Sequence, residues 1–471
     1  MAQASAVGVS LAALFVFGPT HVRAATLEPH SVVRGVEIEE VGVRAVGGVW
    51  RPILWDDLDR THLEPGHYQA RFEVKGDHDG GALEVPNCAG REGVAVDGRR
   101  EGAEIGPFVV ALSAGVHEVV LDLVVNRYES RIVCGDRPRF GTAVPARDGL
   151  SLIHFPSPSS TRGGGQALVY VPLHHDFRVP GPLLVGLHPW NGSIWTYAAY
   201  APLLREAQAR DVLLLMPSGL GNSLYTAEAE DEVMRAIDAV SELMAVDRRA
   251  VSLWGASMGG AGATTIGFHR PDRFASVTSF FGDSKYDLST YAQAILPSEA
   301  AAHLVNALDV VDNARSLPVW LIHGEEDRTS PIRQSEILAS QMRDRGFRVR
   351  FDRIPGMGHS GELVARFLPE LVARAALARG PEHVTRVTYR SVRVAYTEVF
   401  GVRWARATSS RDAFVDVERR DDAVHVRRAE GVRSLALSRG AFGISTDGPS
   451  LPVVVDDADA NARGFEVRWE P

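Results

Sequence analysis

The sequence predicts an α/β protein built on a mostly parallel sheet with helices on both faces, flanked by an N-terminal β-sandwich and a small C-terminal β domain. Three observations carry that expectation. From about residue 150 to 380, short apolar runs alternate with longer helical stretches, the pattern of repeated strand–helix–strand units. On either side the helical period fades and alternating apolar and polar residues are punctuated by glycine turns. Finally, 471 residues exceed the size at which one hydrophobic core keeps growing.

Taken in chain order, residues 1–25 read as an export leader: Ala6 to Phe17 is apolar but too short to span a bilayer, and Ala24 and Ala25 offer a small-residue cleavage site. The expected location is secreted or periplasmic, with no integral membrane segment after the leader. Residues 26–149 form the first β domain, where "HYQARFEVKG", "FVVAL" and "HEVVLDLVV" alternate as sandwich strands do. Residues 150–380 form the α/β domain. Its strands are "ALVYVP", "LLVGL", "VLLLMP", "AVSLWG", "ASVTSFF", "PVWLIH" and "RVRFDRIP", and its clearest helix is "EDEVMRAIDAVSELMAVD". Gly380-Pro381 interrupts the last helix, and residues 381–471 return to strand rhythm with "RVTYRSVRVAYTEVF", "AFVDVERRDDAVHVRRAEGV" and "PVVVDD".

Composition narrows the function. The net charge of −9, from 59 acidic against 50 basic residues, comes with no long basic block, which argues against nucleic acid as a partner. Cys88 and Cys134 are the two cysteines, too few for a metal site by themselves; in an exported chain they pair, stabilising the fold by roughly 4 kcal/mol in the chain-entropy model, and otherwise they are buried free thiols. "GDHDGG" and "VDDADAN" either ligate calcium or are solvated acidic turns, and "HHD" at His174 to Asp176 lacks a third metal ligand nearby. No metal and no organic cofactor is expected. Asp283 to Asn313, with Tyr286 and Tyr291, is either a small cap or packed surface helix.

The chemistry concentrates in "WGASMGGAG". A buried strand ending at Trp254 and a helix starting near Gly259 put Gly255-Ala256-Ser257-Met258-Gly259 on a reversal too tight for flanking side chains, the G-x-S-x-G nucleophile elbow. Ser257 is then presented above the sheet, and the amide of Met258 lies at a helix N-terminus, where unpaired N–H groups favour an oxyanion. A serine hydroxyl needs a base, usually a histidine oriented by a carboxylate. Asp327 in "HGEEDRTSP" and His359 in "GMGHSG" follow successive strands in the right order, with Glu326 as the reserve acid. His188 and His323 end strands themselves and read as structural hydrogen-bonding groups. The second oxyanion donor is expected from "LHPWNGS": Pro189 cannot donate, so the amide of Trp190 is the candidate, its indole forming part of the substrate wall.

On "LHPWNGS", "WGASMGG", "HGEEDRTSP" and "GMGHSG", the middle segment resembles the α/β-hydrolase superfamily, and "AVDRRAVSLWGASMGGAGATTIGFHRPDRFASV" is similar to its prolyl oligopeptidase-like and secreted-esterase branch, including feruloyl esterases and polyhydroxyalkanoate depolymerases. The first β domain loosely resembles jelly-roll modules related to sugar-binding domains. The resemblance implies Ser257 as nucleophile, Asp327 as orienter, His359 as base, and Met258 and Trp190 as oxyanion donors. His188-Pro189 stands where relatives commonly have His-Gly, and the N-terminal segment shows no sign of a propeller. The expected function is hydrolysis of carboxylic esters, small or polymeric and including glycan-linked ones. The alternatives are a serine peptidase of the prolyl oligopeptidase-like type and an inactive secreted glycan-binding protein.

Overall fold

The computed structural model describes residues 25–470, apart from 30, 87, 89–90, 103–107, 126–129, 135, 147–148, 159–163, 287–295, 297, 408–411, 446–449 and 463. The leader expected over 1–25 lies outside the described residues except for Ala25, and so does Tyr291 of the expected cap.

The centre of the molecule is a nine-stranded sheet. From one edge its strands are Thr26–Pro29, Leu150–Pro156, Gly164–Tyr170, Leu213–Pro217, Gly181–Leu187, Val246–Ala256, Ser276–Phe280, Val319–Gly324 and Val349–Ile354. The first three and their junction to Leu213–Pro217 are antiparallel, whereas every later pairing is parallel. Parallel strands need crossover helices, so both faces are covered and the inner strands are largely apolar; all five residues of Leu213–Pro217 are buried. One face packs on helices Ala227–Leu243, Met258–His269 and Arg333–Asp344, through Val233, Ile237, Ile266 and Leu338. The other packs on Ala201–Arg210 and Gly361–Leu377, through Leu203, Leu363, Leu368 and Leu371. Among the described residues, no helix is long and apolar enough to cross a membrane.

The N-terminal segment forms two antiparallel sheets, one of six strands and one of four. Alternate residues such as Phe72, Val74, Leu83, Val119, Leu121 and Leu123 fill the space between them. Cys88 and Cys134 form a disulfide, with Cys88 fully buried in this core. Thr26–Pro29 does not belong to the sandwich. It pairs with Leu150–Pro156 instead, covering backbone that would otherwise be an open edge of the central sheet.

The C-terminal segment forms two four-stranded sheets around Tyr389, Trp404, Val417, Val426 and Leu437. The strand from Arg386 ends at Ser391, whose hydroxyl donates to the carbonyls of Arg393 and Tyr396 and closes a turn before the next strand, Glu398–Val399. This domain grips the central one: Tyr389 donates to the carbonyl of His269 at 2.7 Å, Asn313 exchanges two bonds with the backbone of Arg390, and Arg393 makes a bidentate pair with Asp231. Asp176 pairs with Arg178, His175 with Asp211, and Asp457 accepts the amides of Asp459 and Ala460 at a helix start.

Candidate active site

Ser257 sits between the strand Val246–Ala256 and the helix Met258–His269, with φ of 56° and ψ of −120°. A non-glycine residue held there is strained, and the surroundings explain why it persists. A Cβ on Gly259 would lie 1.8 Å from the carbonyl oxygen of Leu187, and one on Gly255 would lie 2.3 Å from that of Gly259. The two glycines therefore let the elbow press against the neighbouring strand, while the amide of Ser257 donates to the carbonyl of Phe280 at 2.9 Å. The hydroxyl of Tyr197, buried against Trp254, ties the same corner by accepting from the Ala256 amide and donating to the Leu187 carbonyl.

His359 follows the edge strand Val349–Ile354, and Asp327 follows Val319–Gly324, so both arrive at the carboxyl ends of strands alongside Ser257. His359 Nε2 is 2.9 Å from Ser257 Oγ, and His359 Nδ1 is 2.7 Å from Asp327 Oδ2. Asp327 is buried and its Oδ1 accepts the amides of Thr329 and Ser330, each at 2.9 Å. Burial opposes its charge, but hydrogen bonds from His323 and His359 outweigh burial and hold the carboxyl well below its usual range. Glu326, the reserve acid, is exposed, and Glu325 is turned to Arg353. The imidazole is steadied by Phe281, whose ring lies 4.4 Å away, tilted at 53°, and whose backbone has a positive φ of 40°.

The loop after Gly181–Leu187 lies beside this line. Asn191, at φ 58°, donates its amide to Asn222 Oδ1 at 2.7 Å, and Asn222 Nδ2 donates back to Asn191 Oδ1. The amides of Gly192 and Ser193 are spent on Pro189 O and Thr196 Oγ1. Among the described residues, the Trp190 amide takes no acceptor in the protein, and its side chain is exposed at the rim. His188 is buried beneath, its ring nitrogens each 2.8 Å from the carbonyls of Pro189 and Ser218, and burial lowers its pKa. Phe281, Tyr197 and Asn222 carried no motif in the sequence; the Phe280-Phe281-Gly282 run at a strand end was the one local hint.

A hydroxyl, an imidazole and a carboxylate in one hydrogen-bonded line can pass the serine proton to the ring and leave an alkoxide-like nucleophile, and a helix N-terminus favours the negative charge that follows.

The sequence model of the prolyl oligopeptidase family matches residues 221–371, which hold Ser257, Asp327 and His359. No curated protein matches the chain. Among solved structures, the chain is similar to an S-formylglutathione hydrolase from Agrobacterium tumefaciens, with 18% identity, a TM-score of 0.44, and coverage of 50% of this chain and 98% of that one. It is similar to a ferulic acid esterase, with 17% identity, a TM-score of 0.41, and coverage of 48% and 96%. A thermostable esterase matches with 14% identity and a TM-score of 0.42 over 68% of this chain and 98% of its own. The central domain has the α/β-hydrolase fold, and residues 221–371, which hold the Ser257, Asp327 and His359 line, are similar to the prolyl oligopeptidase family.

Proposed function

We propose that this chain hydrolyses carboxylic esters through an acyl-enzyme on Ser257. His359 takes the proton from Ser257 Oγ as that oxygen attacks the carbonyl carbon, then delivers it to the departing alkoxide. Water next adds to the acyl-enzyme, its proton passing to His359, and expulsion of Ser257 Oγ releases the acid and returns the proton to the serine. Asp327 keeps the imidazole in the tautomer with hydrogen on Nδ1 and balances its transient positive charge. The amides of Met258 and Trp190 receive the tetrahedral oxyanion. The observation that supports this most is the line Ser257 Oγ, His359 Nε2, His359 Nδ1, Asp327 Oδ2, with contacts of 2.9 and 2.7 Å, at the start of a helix.

An ester is favoured over a peptide because the described N-terminal residues form a two-sheet sandwich and not a propeller. The peptidase alternative is favoured by the family match over residues 221–371. The leader-like sequence of residues 1–25 and the disulfide of Cys88 and Cys134 support a secreted or periplasmic location.

The test is to run p-nitrophenyl esters beside p-nitroanilides of the same acyl groups, with fluorophosphonate labelling in parallel. Ester turnover and labelling, both lost in Ser257→Ala, are the expected result. Turnover that survives Ser257→Ala overturns the assignment, and faster amide than ester cleavage moves it to the peptidase.

A further inference from the structure

His323 is a histidine that the mechanism above does not use, yet it is fully buried beside the carboxylate of that site. It lies in the strand Val319–Gly324. Its Nε2 is 2.8 Å from the carbonyl oxygen of Ser330 and 3.4 Å from Asp327 Oδ2. A carbonyl accepts only, so Nε2 carries the hydrogen and donates it to Ser330, with Asp327 Oδ2 in contact beside it. Its Nδ1 is 2.8 Å from Ser335 Oγ, a buried hydroxyl in the helix Arg333–Asp344 that can donate to the unprotonated nitrogen and so select this tautomer.

Ser330 is clamped from three sides. Its carbonyl receives His323, its amide donates to Asp327 Oδ1 at 2.9 Å, and its hydroxyl donates to Asp283 at 2.5 Å. His323 therefore reaches Asp327 by two routes: directly at Oδ2, and through the backbone of Ser330 at Oδ1. With two amides on Oδ1 and two imidazoles at Oδ2, the carboxylate cannot rotate about its terminal bond without losing partners. The remaining direction of Oδ2 is aimed at His359.

We propose that His323, held by Ser335, is a positioning residue that fixes the plane of the Asp327 carboxylate through the Ser330 backbone and by direct contact, so that the line of partners runs Ser335, His323, Asp327, His359, Ser257. This rests on the assignment of Ser257, His359 and Asp327 made above. The depressed pKa of Asp327 is consistent with it, since His323 is among the donors that offset burial. A misdirected carboxylate leaves substrate binding intact and disorients the base, so the effect belongs in kcat and not in KM.

The experiment measures kcat and KM on a p-nitrophenyl ester, and the fluorophosphonate labelling rate, for the full chain and for His323→Leu, His323→Gln and Ser335→Ala, with circular dichroism to confirm folding. Leucine removes the donor, whereas the glutamine amide reaches the position of Nε2 and restores it. Expected are a kcat loss of about 30-fold for His323→Leu with KM within about two-fold, a loss of about five-fold or less for His323→Gln, and about three-fold for Ser335→Ala. If His323→Leu does not fold, the decision passes to His323→Gln and Ser335→Ala, where an unchanged kcat in Ser335→Ala overturns the proposal. A folded His323→Leu with kcat within about two-fold of the parent also overturns it, as does equal damage from leucine and glutamine. Failure of the underlying assignment looks different, because the parent protein would then turn over independently of Ser257.

Discussion

Two histidine–carboxylate pairs lie at opposite ends of the helix Met258–His269. At its N-terminus His359 Nδ1 meets Asp327 at 2.7 Å, and at its C-terminus His269 Nδ1 meets Glu230 at 2.8 Å. As pairs they are alike, and both carboxyls are held below their ordinary pKa because histidine bonds and neighbouring positive charge outweigh burial. Their surroundings differ. The His359 side chain is 21% exposed and its Nε2 faces Ser257, whereas His269 and Glu230 are each 1% exposed, and His269 Nε2 has no hydrogen-bond partner among the described residues. Arg393 and Arg270 crowd Glu230 at 3.4 and 3.7 Å, and Tyr389 of the C-terminal domain caps the His269 carbonyl. The comparison teaches that an imidazole–carboxylate pair is chemically neutral as evidence: a nucleophile on the far nitrogen and access to solvent separate a reactive site from a buried interdomain bolt.

That contrast can be broken by exchanging the substitution. His359→Ala is expected to lower kcat/KM by about 10⁴-fold or more, while folded His269→Ala keeps its turnover within about three-fold, measured on the same ester. Equal losses would mean that the C-terminal end of the helix is part of the reaction machinery.

Stability should invert the ranking. Removing His269 leaves Glu230 buried with less compensation and is expected to cost about 3 kcal/mol in urea unfolding, whereas His359→Ala at the solvent-facing end costs about 1 kcal/mol or less. A larger cost at His359 would show that the bolt is elsewhere.

The smallest effect is the shared one. Both carboxyls titrate lower in the folded state than their ordinary values of 3.8 and 4.5, so each contributes stability that is present above those values and is lost as pH falls through the folded pKa. Asp327→Asn and Glu230→Gln should each flatten the loss of stability as pH falls below about 5, followed by urea midpoints. Parallel curves for parent and variants would remove the linkage.

Much of the site was visible in one dimension because its constraints are local. The elbow needs glycine where a Cβ would strike the Leu187 and Gly259 carbonyls, and that demand leaves G-x-S-x-G in the sequence. Asp327 was separable from Glu326 by its place before the next helix turn, and the two do point apart, one buried and one exposed. Trp190 was picked because Pro189 cannot donate, and its role in the oxyanion site belongs to the proposed function. Phe281 and Tyr197 were not legible, since a ring lying against an imidazole or a phenol bridging two strands leaves no spacing rule. Neither was the pairing of Thr26–Pro29 with Leu150–Pro156, because an edge strand is defined by its distant partner.

By itself the sequence determined the alternation of strand and helix, the two flanking β segments and the tight turn that presents Ser257, all of which follow from the backbone period and the steric needs of a few adjacent residues. The tertiary structure decided which imidazole faces the serine, which carboxylate faces that imidazole, and which similar pair is sealed between domains. The reason is topological: right-handed crossovers carry each next strand back parallel to the last, so residues remote in the chain meet at one sheet edge, and only the finished packing sets their distances.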